Sequence, residues 1–93
     1  MVLHEGRVRE NQAVFREVNQ RIAEISRLEQ ESMSDFLCEC GNETCATTVT
    51  LDLSEYEAVR HDSGSFLVEP GHGVDGLNRV IERRGSYDVV KQV

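Results

Sequence analysis

The chain has 93 residues, 39 % of them hydrophobic and 29 % charged, with no tryptophan and a formal net charge of −7. That suffices for one domain around one small core and argues against a disordered tail. So acidic a surface repels phosphate backbones, which disfavours nucleic acid and suits a basic protein partner.

The first ten residues, MVLHEGRVRE, lack the basic-then-apolar layout of a secretory signal. No run approaches the ~18 apolar residues that cross a bilayer. A cytoplasmic chain with no membrane partner is therefore expected, and there thiols stay reduced. From about Arg7 to Glu31 no glycine or proline intervenes, and apolar residues recur at helical spacing. Val14, Phe15, Val18, Ile22, Ile25 and Leu28 share one face of that helix, with Arg9, Arg16, Gln20, Ala23 and Arg27 roughly opposite. Glu5 with Arg9 and Glu17 with Arg21 are spaced as supporting ion pairs. Phe15, Val18, Ile22 and Ile25 follow the 3-4-3 spacing of a partner-binding seam. Val14 and Leu28 widen the stripe, as packing on a sheet would require. A helix of about 25 residues runs about 37 Å, against a body about 25–28 Å across. Part of it should overhang and meet a protein partner or a second copy.

The polar SMSD, residues 32–35, breaks the helix. FLCEC is short and extended in character. CATTVTLDL alternates, with Val49, Leu51 and Leu53 on one face of a half-buried strand. SEYE reads as a capping box, Ser54 at the N-cap and Glu57 reaching back, opening a short helix to about His61 with Tyr56 and Val59 inward. DSGS ends it and FLVEP gives another strand. GHGVDG is a glycine-rich loop that matches neither a P-loop nor a dinucleotide fingerprint. NRVIERRGSYDVVKQ reads as a hairpin turning at Gly85-Ser86 in type II′ geometry. Its basic residues Arg79, Arg83, Arg84 and Lys91 read as a solvated face, partly offset by Glu82 and Asp88. The expected fold class is α+β: a long amphipathic helix over a small, mainly antiparallel sheet with one short capped helix. One domain, 1–93, is expected, with the helix in 1–32 and the body in 36–93.

All three cysteines lie in one stretch, Cys38-x-Cys40-x4-Cys45, around the turn-favouring Gly41 and Asn42. An extended C-x-C pair sends both side chains to one side of the chain. A turn after Cys40 would return Cys45 beside them, as a thiolate metal site requires. A disulfide would leave one thiol over, and an iron–sulfur cluster usually takes four cysteines. Nucleophilic Cys–His catalysis would explain only one of the three. Three cysteines need a fourth ligand. His72, in the EPGHG loop, ranks first, with Glu43, a water or His61 as alternatives and His4 in the terminal residues.

These pieces, FLCEC with Cys45, LSEYEAVR, FLVEPGH and a hairpin ending near YDVVK, resemble a family of small actinobacterial proteins without an assigned activity. REN, FREVN and RI in the helix resemble it too, so the likeness covers most of the chain. It implies that Cys38, Cys40, Cys45 and His72 form one unit, a Cys3His zinc site. The expected function is a non-enzymatic intracellular module, stabilised by Zn2+ and binding a protein partner or itself through Phe15, Val18, Ile22 and Ile25. A zinc- or redox-responsive thiolate switch is the first alternative, and a metal-dependent enzyme with an open zinc position the second.

Overall fold

With no glycine between Gly6 and Gly41, nothing interrupts the first helix, α1, over Glu5–Leu28. The computed structural model describes residues 5–62 and 64–93. After α1 come β1 (Met33–Leu37), β2 (Thr48–Asp52), α2 (Leu53–His61), β3 (Ser65–Val68), β4 (Asn78–Arg83) and β5 (Asp88–Gln92). The architecture is α+β, with two small antiparallel sheets in place of one. β1 pairs with β2, while β3, β5 and β4 form a second sheet in that order.

Gln30 closes α1 at φ 60°, with the Glu31 N–H on the Ser26 carbonyl and the Gln30 N–H on the Arg27 carbonyl. That is a Schellman cap with glutamine where glycine is usual, so its sequence carried no stop signal. The break comes earlier than SMSD, over residues 29–32, and Met33, Ser34 and Asp35 already belong to β1. Its polar side chains are used across elements: Ser34 bonds Ser26 of α1, and Asp35 accepts from Thr50 of β2. β2 alternates as expected, with Val49 and Leu51 buried. The capping box does not form. α2 begins two residues earlier, behind Asp52 in place of Ser54, with no side-chain cap, and Glu57 pairs with Arg27 at 2.6 Å. Tyr56 and Val59 do point inward, and Tyr56 stacks on Phe36 with centroids 4.2 Å apart. In the β4–β5 hairpin Gly85 takes φ +84°, the positive φ that a II′ turn needs at its first central position, and across the turn the Arg84 N–H donates to the Tyr87 carbonyl at 2.9 Å.

The face of α1 that meets the body differs from the apolar stripe read in the sequence. Its buried residues are Val8, Gln12, Asn19, Ala23 and Ser26. Gln12, Asn19 and Ser26 recur every seven residues, and each bonds the body. The Gln12 amide meets Asn78 at 2.9 Å and Gln92 at 3.0 Å, while Asn19 takes both the N–H and C=O of Leu37. The reason is the chemistry of the opposing surface. It offers unpaired backbone and amide groups, which apolar side chains could not satisfy. Glu17 and Arg21 form no ion pair, and the Glu5 pair falls outside the described side chains.

Nor does α1 overhang. Contacts run from Val8 and Asn11, beside Gly41, to Arg27, because the two sheets lie one after the other along it. The molecule accordingly measures 43 × 21 × 21 Å. One buried cluster holds Phe36, Val49, Leu51, Tyr56, Leu67 and Val89; a second holds Cys38, Cys40, Phe66, Val68 and Val90. β3 divides them, with Leu67 facing the first and Phe66 and Val68 the second.

Candidate metal centre

The chain crosses between sheets inside the C-x-C segment. The Cys38 N–H extends the first sheet by one bond, to the Thr47 carbonyl at 3.0 Å. The next N–H, of Glu39, points the other way and reaches the Leu67 carbonyl of β3 at 2.7 Å. Successive residues of an extended chain face opposite sides, so two residues suffice to join both sheets. Cys38 and Cys40 then share one side and Glu39 takes the other.

Gly41 turns the chain back at φ +82°. A Cβ there would lie 2.6 Å from the Val8 carbonyl oxygen, so only glycine lets the loop meet α1 this closely. Asn42 accepts from the N–H and hydroxyl of Thr44, and its carbonyl takes the Cys45 N–H at 3.0 Å. Cys45 thereby returns beside the first two sulfurs. From the other direction, β3 ends in a Glu69-Pro70-Gly71-His72 turn, closed by the His72 N–H on the Glu69 carbonyl at 2.9 Å. Proline at its second position and Gly71 at φ +84° at its third fit a type II turn. The Gly71 N–H is pinned by the buried carboxylate of Asp88 at 3.0 Å.

These loops bring Cys38, Cys40, Cys45 and His72 together, with one donor atom from each within 4.8 Å of all the others. His72 Nδ1 sits 3.6 Å from the sulfurs of both Cys38 and Cys45. Its other nitrogen, Nε2, lies 3.0 Å from the Glu69 carboxylate. That contact places the ring proton on Nε2 and leaves the Nδ1 lone pair facing the sulfurs. The Glu69 N–H donates to Cys38 Sγ at 3.2 Å, and the Asn42 N–H donates to Cys40. Both bonds favour thiolate.

Without an ion, Cys38 and Cys40 compete for a proton. Hydrogen bonding to Cys40, then burial, push the Cys38 thiol far up; the same bond from Cys38 draws Cys40 down. A cation among them removes the conflict, since all three thiols can then be ionised. Phe66, Val68 and Val90 line the apolar side, and the Arg16 guanidinium lies 5.0 Å over the Phe66 ring. The donor set and its spacing fit a metal ion.

Of the alternative ligands, His61 is exposed at the end of α2, and Glu43 is exposed and pairs with Arg7 at 2.7 Å. Neither joins the cluster, and His4 lies outside the described residues. Of the four helix residues singled out for partner binding, Phe15 and Ile22 are half-buried while Val18 and Ile25 are exposed. Two working residues escaped the sequence reading, Glu69 and Glu39. Glu69 carried a usable signal, a carboxylate on the same turn as a candidate histidine ligand. Glu69→Gln should weaken metal affinity roughly 10–100-fold, as loss of such outer partners does, read by competition with a chromophoric chelator.

No helix is long and apolar enough to cross a membrane among the described residues. A scan against protein-family models finds no match, and neither do searches of curated proteins and of solved structures. No family or actinobacterial origin is supported, and the cluster itself is the guide to function.

Proposed function

We propose that the chain is a non-enzymatic module held in shape by one structural Zn2+ on Cys38, Cys40, Cys45 and His72, acting by binding another protein. The observation that carries the metal is the 3.6 Å spacing of His72 Nδ1 from two sulfurs. Zn–S bonds near 2.3 Å and Zn–N bonds of 2.0–2.1 Å set tetrahedral N···S edges of about 3.6 Å. Softness agrees, because three thiolates and an imidazole select zinc over magnesium or calcium. Four protein ligands close a tetrahedral shell and leave no position for a substrate, which favours structure over catalysis. Native mass spectrometry of the full chain should find one zinc per chain, reduced in Cys38→Ser. A metal-free chain, or one isolated with iron, would overturn it.

A second reading, a thiolate switch, has its own support. Cys45 is only half-buried, and Cys40 and His72 line an open cleft of about 210 Å³ with Val8, Asn42 and Val74. Small oxidants therefore have a way in, and reactive cysteines need such access. If the switch is real, low peroxide releases zinc in step with loss of three free thiols. Thiols and zinc that persist under the same treatment would rule it out.

A further inference from the structure

The polar side of α1 faces inward, and its aliphatic side faces out. Val14, Val18, Ile25 and Leu28 are 53, 39, 56 and 85 % exposed. They fall at 4-7-3 spacing, and Arg21, also exposed, fills the gap. The result is a regular 4-3-4-3 seam running about 21 Å along the helix and lying about 140° round from the buried Gln12–Asn19–Ser26 row. Among the described residues, Val14, Val18, Ile25 and Leu28 belong to neither buried cluster. Single exposed aliphatics need no explanation, but a seam of heptad spacing reads as a docking face.

Charge decides what fits it. Glu10, Glu17 and Glu24, again seven residues apart and all exposed, run along one border of the seam. None of them forms an ion pair among the described residues. An antiparallel second copy that overlaps the whole seam would set Glu17 against Glu24 of its mate and Arg21 against Arg21. A parallel copy also opposes the two arginines. Like charges at those positions select against pairing. A foreign helix with lysine or arginine along the facing border, and a carboxylate opposite Arg21, meets every group.

We infer that this seam docks a basic amphipathic helix of another protein, which deepens the interaction reading above and rests on it. Apolar anchors at i, i+3, i+4 and i+7 would fill the seam, in the helix-in-groove manner, while the basic row pairs with Glu10, Glu17 and Glu24. The −7 charge of the chain would speed the encounter with a basic partner.

The test uses the full zinc-loaded chain and two synthetic 21-residue helical peptides. Both carry leucine on the seam and one aspartate facing Arg21; one has lysine along the border and the other glutamate. Titration calorimetry should show saturable binding of the lysine peptide, weakening with salt, and at least roughly tenfold weaker binding of the glutamate peptide. Val18→Asp/Ile25→Asp should abolish binding, and Glu17→Lys/Glu24→Lys should reverse the preference, with metal content and melting temperature unchanged in both. Equal binding of the two peptides, or none, overturns the inference. If a light-scattering dimer also becomes monomer in Val18→Asp/Ile25→Asp, the occupant is a second copy and the interaction reading survives. A monomer that binds neither peptide ends both.

Discussion

A stoichiometric zinc chelator is expected to abolish the cooperative melt of this protein. Structural zinc in small domains binds with roughly 10–16 kcal/mol near neutral pH, whereas whole domains are stable by about 5–15 kcal/mol. Here Cys38, Cys40, Cys45 and His72 lie at the exits of two different sheets, β1 and β3, so an ion bound among them would tie the two sheets together directly. Among the described residues the same junction is otherwise held by the pair of bonds between Glu39 and Leu67, by α1 through Asn19 on one sheet and Gln12 on the other, and by the packing around Phe36 and Leu67. Removing the ion also leaves three thiols and an imidazole crowded beside Phe66, Val68 and Val90. Losing even 4 kcal/mol lowers the melting temperature of a domain this size by roughly 16–32 °C. Cys38→Ser should approach the chelated state, because Cys38 is buried, receives the Glu69 N–H and belongs to the apolar cluster. Cys45→Ser should cost less, since water can reach a half-buried position and replace its sulfur. Circular dichroism melts with and without chelator check the order, and a melt indifferent to chelator would remove the structural role.

What could be read in advance was local. The alternation of β2, the Gly85 turn and the turn residues around Cys45 and His72 all act over a few neighbouring positions. Even the long-range meeting of the cysteines with His72 was legible, because three thiolates leave one tetrahedral position to fill. The rotation of α1 was not. It is decided by Leu37, Glu39, Asn78 and Gln92, which the chain brings to the helix from 18 to 80 residues away. Periodicity alone finds an aliphatic stripe and assumes it faces the core. In this helix the polar row at Gln12, Asn19 and Ser26 had the same period, and only the opposing surface could choose between them. The second sheet was hidden for a similar reason, since strand pairing partners are not written in any one segment.

Glu39 was hidden by its position between two cysteines, where it reads as a spacer, yet replacing it should produce the largest loss among substitutions that spare the metal ligands. Its side chain is fully buried. One carboxylate oxygen accepts the Leu67 N–H at 2.9 Å, the other the Asn19 amide at 2.7 Å, and the Tyr56 hydroxyl and Arg60 guanidinium approach at 3.5 and 3.8 Å. Burial pushes its carboxyl above the usual carboxylate range, against the pull of Asn19, Leu67, Arg60 and Arg16. A buried anion so placed is costly, and its value lies in what it joins: α1, the end of β1, α2 and β3 all meet on two oxygens. Glu39→Ala would take one acceptor from the part-buried Arg60 and from the Asn19 amide and leave the Leu67 N–H without its side-chain partner, at a cost of roughly 3 kcal/mol. Glu39→Gln keeps an acceptor for Leu67 but turns an NH2 toward the Asn19 and Tyr56 donors, at about 1–3 kcal/mol. Asn19→Ala should fall near the glutamine variant, and the Glu39→Ala/Asn19→Ala pair should cost less than the sum, because the two share one bond. Urea unfolding of the zinc-loaded variants measures all four. If Glu39→Ala unfolds no more readily than the wild type, Glu39 is not what holds the two sheets to the helix, and the metal alone would have to do it.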